Sequence, residues 1–81
     1  MPKYAYKEIN FRPDSLRLIA IINSVIEEYT AQGYDLTLRQ VYYQLVARDY
    51  IPNNERSYKN TGNLINDARL AGLIDWTAIQ D

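Results

Sequence analysis

The stretch from Thr37 to Arg48 constrains the fold of this chain more than any other. It reads Thr-Leu-Arg-Gln-Val-Tyr-Tyr-Gln-Leu-Val-Ala-Arg. Thr37 carries a side-chain oxygen suited to capping a helix. Behind it, Leu38, Val41, Tyr42, Leu45 and Val46 recur at i, i+3, i+4, i+7 and i+8, the spacing of a buried helical stripe. On that wheel Tyr42 points into the stripe. Tyr43 falls on its shoulder, one turn after Arg39. Two adjacent tyrosines thus take different tasks: the first packs, and the second is free to face a partner beside a guanidinium.

With 81 residues, 47% of them apolar, the chain can build one small domain around a single core. A domain of this size buries only about 60–65% of its unfolded surface, so its margin of stability is thin. Eight tyrosines favour half-buried positions and contact surfaces, where the ring packs and the hydroxyl stays wet. Cysteine is absent, which excludes a disulfide framework and a thiolate metal site. Histidine is absent too, and with it the commonest general base and metal ligand. No metal site is expected. The longest aliphatic run, residues 18–22, cannot span a bilayer, and no hydrophobic targeting core opens the chain. These features predict a soluble, cytoplasmic protein with no membrane partner. The net charge of −1 lacks the basic surplus of a generic nucleic-acid binder, so any such function rests on how charge is distributed. Arg39, Arg48, Arg56, Lys59 and Arg69 lie in the second half, whereas Glu27, Glu28 and Asp35 collect near the end of the first helix.

Residues 1–12 read as an N-terminal arm, and residues 13–81 as the domain. In the arm Tyr4, Tyr6, Ile9 and Phe11 alternate with polar or small residues, a weak strand signal. Its aromatics can pack across the helices, the simpler reading, or a basic-aromatic arm can reach along DNA. Pro13-Asp14-Ser15 opens a first helix, with Leu18, Ile19, Ile22, Val25, Ile26 and Tyr29 as its apolar face and Gly33 as a left-handed cap. The second helix is expected over residues 38–48. Pro52 and the paired Asn53 and Asn54 then interrupt helical structure. Ser57 is expected to cap a third helix over residues 58–71. Tyr58, Thr61, Leu64, Ile65 and Ala68 face inward on it, and Lys59, Asn63, Asn66 and Leu70 face outward. Gly62 implies a close approach to a neighbouring backbone. Residues 73–79 read as a strand that pairs with residues 34–36, with Trp76 covering the sheet edge. The expected fold is mainly α with a small β element, a three-helix winged helix-turn-helix.

The motif Thr37-Leu38-Arg39-Gln40-Val41-Tyr42-Tyr43, followed by Ser57-Tyr58-Lys59 and by residues 67–76 (Asp-Ala-Arg-Leu-Ala-Gly-Leu-Ile-Asp-Trp), resembles a known family. It is similar to the N-terminal winged-helix domain of proteins related to the topoisomerase VI A subunit and the meiotic DNA-breaking transesterase. The nearest likeness is to phage and mobile-element proteins in which such a domain precedes a Toprim-like region. The resemblance implies that Tyr43 attacks a DNA phosphate and that Arg39 assists there. It also implies a domain cut from a longer protein, with Mg2+ held by a C-terminal catalytic domain and no cofactor in this chain.

Three functions follow as expectations. In the first, the chain is a double-stranded DNA-binding module: Asn63 and Asn66 on the third helix read base edges, as asparagine can do bidentately with adenine. Arg39, Arg48, Arg56 and Lys59 then hold phosphates. The second is the tyrosine-bearing half of a DNA-cleaving transesterase, inactive as an isolated domain. The third is a protein-interaction module without DNA affinity, with a homodimer contact through the first helix or the arm.

Overall fold

A computed structural model describes residues 9–80. Three helices and one pair of short strands follow in the order α1 (Pro13–Ala31), β1 (Leu36–Thr37), α2 (Leu38–Ala47), α3 (Glu55–Leu70) and β2 (Ile79–Gln80). The architecture is mainly helical with a two-stranded parallel sheet, in the register Leu36↔Ile79 and Thr37↔Gln80. No described helix is long and apolar enough to cross a membrane.

Periodicity builds the core as expected. Ile19, Ile22, Val25 and Ile26 of α1 meet Val41, Tyr42 and Leu45 of α2 and Ile65 and Ala68 of α3. Leu36, Ile74 and Ile79 close the remaining side. Leu18 and Tyr29 lie half-buried at the margin of this core. Tyr4 and Tyr6 of the arm fall outside the described residues, while Phe11 packs against the core.

All three helices stop in the same way. Gly33, Asp49 and Gly72 have φ of 80°, 62° and 79°, and each follows its helix by two residues. In each, that residue and the next donate backward to two terminal carbonyls: Gly33 and Tyr34 to Thr30 and Tyr29, Asp49 and Tyr50 to Val46 and Leu45, Gly72 and Leu73 to Arg69 and Ala68. This is the paired-bond ending that a left-handed residue permits. Asp49 is the one position of the three with a side chain in that conformation, which aspartate tolerates better than most residues.

Several boundaries differ from the sequence expectation. α3 begins at Glu55, because Asn54 is its cap: the Asn54 Oδ1 accepts from the Ser57 N–H at 2.7 Å. Ser57 is buried one turn inside the helix. The expected strand over residues 73–79 shrinks to Ile79–Gln80. Its first residues are drawn into the end of α3, where the N–H groups of both Leu73 and Ile74 reach the Ala68 carbonyl. Asp75 then folds the chain again by accepting from the Thr77 N–H and hydroxyl, both at 2.9 Å. These bonds, the backbone one foremost, hold the Asp75 carboxyl below the ordinary carboxylate range. Leu70 is half-buried rather than outward. A side chain at Gly62 would meet the tip of Leu38, with Cδ2 at 3.5 Å, not a neighbouring backbone.

Candidate nucleic-acid interface

The connection between α2 and α3, residues 48–54, sets how the two helices present their free faces. α2 starts on a reciprocal cap: the Thr37 Oγ1 accepts from the Gln40 N–H at 3.2 Å, and the Gln40 Oε1 accepts from the Thr37 N–H at 2.9 Å. The helix carries Tyr42 inward, only 3% exposed. Its hydroxyl then organises the connection, accepting from the Asn54 N–H at 3.0 Å with the Asn54 carbonyl at 3.1 Å and the Asn53 Oδ1 at 3.2 Å as acceptors. The Tyr42 ring lies against Tyr58 of α3, centroids 5.0 Å apart, and against Tyr43 at 5.8 Å. Sequence reasoning placed Tyr42 in the core but missed its hydroxyl as the tie between two helices.

Tyr43 stands outside, 54% exposed. It lines a shallow cleft of 290 Å³ together with Arg39, Asn53, Glu55 and Tyr58. The rotational assignment made from spacing alone is therefore present in the structure, and Arg39 and Tyr43 share one cleft at the start of α3. A phenol here is open to solvent, with a guanidinium in the same cleft able to pair with a phosphate.

On α3, Arg56, Lys59, Asn63 and Asn66 follow one another at helical spacing and are all exposed. Arg56 and Asn63 also line a 530 Å³ trough against the start of α1, and Asn60 and Asp67, absent from the expected set, line it with them. Lys59 sits 3.6 Å from Glu55 in a fully wet pair, which is weak and exchangeable for a phosphate. Arg48 does not join this face. It stands at the C-terminal end of α2 and pairs with Glu28 of α1 at 3.0 Å.

Arg69, the remaining cation of the second half, is buried, only 8% exposed. Its Nη2 donates to the Ile79 carbonyl at 2.6 Å, and its guanidinium lies 5.4 Å from the Trp76 ring centre. Trp76 therefore lies against a cation that itself holds β2. Sequence reasoning counted Arg69 only among the cations of the second half; its spacing, four residues after Ile65 and eight after Thr61, is the signal for its inward placement.

Among the described residues no cluster of three or more Asp, Glu, His or Cys is arranged to hold a metal ion. Comparison with family models, curated proteins and solved structures gives no match to this chain.

Proposed function

We infer that the chain is a DNA-binding module of the winged-helix type. The resemblance of residues 37–43, 57–59 and 67–76 supports a place as the N-terminal domain of a topoisomerase VI A-like or Toprim-containing protein. One observation carries this reading: α3 presents Arg56, Lys59, Asn63 and Asn66 on a single exposed face. Cations at the first turns hold phosphates, asparagines further along reach base edges, and a lone helix of this kind fits the major groove. Arg39 extends the phosphate contacts from α2. Arg48, committed to Glu28, contributes least.

Titration of a fluorescent duplex tests it. Three phosphate contacts from Arg39, Arg56 and Lys59 give a log–log salt slope of about −2.7, so affinity falls roughly 40-fold between ~50 and ~200 mM salt. Lys59→Ala lowers that slope by about 1 on every sequence, whereas Asn63→Ala relaxes discrimination between sequences. Absence of binding at low salt, or binding indifferent to Arg56→Ala and Lys59→Ala together, overturns the reading.

The exposure of Tyr43 beside Arg39 supports a second role inside a longer protein. There the Tyr43 oxygen would form a bond to a DNA phosphorus as the deoxyribose oxygen leaves with a proton. Tyr43→Phe would then abolish covalent protein–DNA adducts of the longer protein, and surviving adducts would exclude this residue.

A further inference from the structure

Tyr43 is a ridge with a groove on each side. One is the cleft shared with Arg39 and α3. The other, also of 290 Å³, lies toward α1 and is lined by Tyr29, Tyr34, Asp35, Leu36, Gln40, Tyr43 and Gln44. Its geometry follows from the way α1 ends. Gly33 reverses the chain, and Tyr34 returns over Tyr29 with ring centroids 6.3 Å apart and planes at 59°. α2 then brings Tyr43 to the opposite wall. Leu36, 2% exposed, forms the floor, while Tyr34 remains 61% exposed.

We propose that this groove docks an extended, proline-rich peptide carrying a basic residue. The walls are three aromatic rings, the surface on which proline rings pack. The available polar groups define the rest of the ligand. Gln40 has its carbonyl oxygen engaged in the α2 cap, which leaves its amide N–H groups to donate outward. Gln44 and the hydroxyls of Tyr29, Tyr34 and Tyr43 can each donate or accept, and none of them is engaged by another described residue. A proline run has no N–H and presents carbonyl acceptors alone, and the amide and hydroxyl donors of this groove can meet them. The single carboxylate, Asp35, asks for a cation beside the run and repels a phosphate backbone. The small volume suits rings on an extended segment rather than a helix about 10–12 Å wide. The α3 face takes no part in this docking, so it is tested apart from duplex binding through that face.

Fluorescence anisotropy of a labelled hexaproline–arginine peptide, titrated with the whole chain, tests the proposal. Its hexaproline–glutamate and hexaalanine–arginine counterparts serve as comparisons. Saturable binding is expected only for the proline–arginine peptide at sub-millimolar protein. Tyr34→Ala and Tyr43→Ala each weaken it about tenfold, as loss of an aromatic anchor does. Asp35→Asn removes the preference for arginine over glutamate. Arg56→Ala and Lys59→Ala leave peptide binding unchanged, and Tyr34→Ala leaves duplex binding unchanged, so the two readings fail separately. Circular dichroism confirms that each variant is folded. No saturation at millimolar concentration, equal binding of the alanine peptide, or displacement by oligothymidine overturns the proposal. So does a concentration-dependent dimer that Tyr34→Ala dissolves, which would assign the groove to a second copy of the chain.

Discussion

Tyr42 and Tyr43 are the same residue type side by side, and one helical step of rotation gives them opposite surroundings. Removing the Tyr42 hydroxyl leaves the Asn54 N–H without its acceptor at the entrance to α3. Tyr42→Phe therefore costs about 1–3 kcal/mol. The same change at exposed Tyr43 stays within about 0.5 kcal/mol. Urea denaturation of the two variants, followed by circular dichroism, compares them directly. This pair also shows what residue spacing can and cannot convey. Which ring turns inward follows from helix geometry and was readable in the sequence. That the inward hydroxyl would reach across to residues 53 and 54 depends on where α3 docks, and no local pattern encodes it.

At the scale of elements, capping and stop signals decide the boundaries, and glycines separate two kinds of constraint. Gly62 lies inside α3 with only a side-chain tip at ordinary contact distance from a would-be methyl. Gly62→Ala is expected to raise stability by up to ~1 kcal/mol through helix propensity. Gly33 has open space around it, but its φ of 80° is the conformation that an L side chain disfavours. Gly33→Ala is expected to lower stability by about 1–2 kcal/mol. Thermal melts of both variants check the opposite signs. The expected strand over residues 73–79 failed for a related reason. Its apolar residues suit a strand, yet the left-handed turn at Gly72 commits the N–H groups of Leu73 and Ile74 to Ala68 before a ladder can form. The α3 cap failed because Asn54 and Ser57 are both competent caps, and tertiary contacts around Tyr42 favoured the earlier one.

Across the whole molecule, three carboxylates gather at one cleft and the tail is fastened by one buried cation. Glu27, Asp35 and Asp75 line a 730 Å³ cleft between α1 and the tail, away from the outward face of α3. A net charge of −1 thus conceals a face on which cations meet solvent. Arg69 joins three parts of the chain: it belongs to α3, faces Trp76 in the tail, and donates to β2. Arg69→Ala is expected to cost about 2–4 kcal/mol, combining a charge-assisted hydrogen bond with a cation–aromatic contact. That is a large share of the roughly 4–12 kcal/mol a chain of this size commands. Trp76 is the sole tryptophan, so its emission reports the tail directly and should shift to longer wavelength in this variant. Arg69→Lys keeps the charge but not the planar guanidinium, and should recover only part of the loss. The inner-face placement of Arg69 could be read from spacing, whereas its partners could not, since all lie beyond the helix that carries it.

The parallel register of Leu36 with Ile79 has a consequence for how the protein is made. β1 leaves the ribosome early, and its partner follows only after both later helices have been synthesised. Until then a nascent chain holds an open strand edge beside an exposed leucine, a template for pairing with its neighbours on a polysome. Premature termination after Thr37 but before Ile79 would make that exposure permanent, so such shortened products should be recovered in the insoluble fraction while the chain that reaches Gln80 stays in the supernatant.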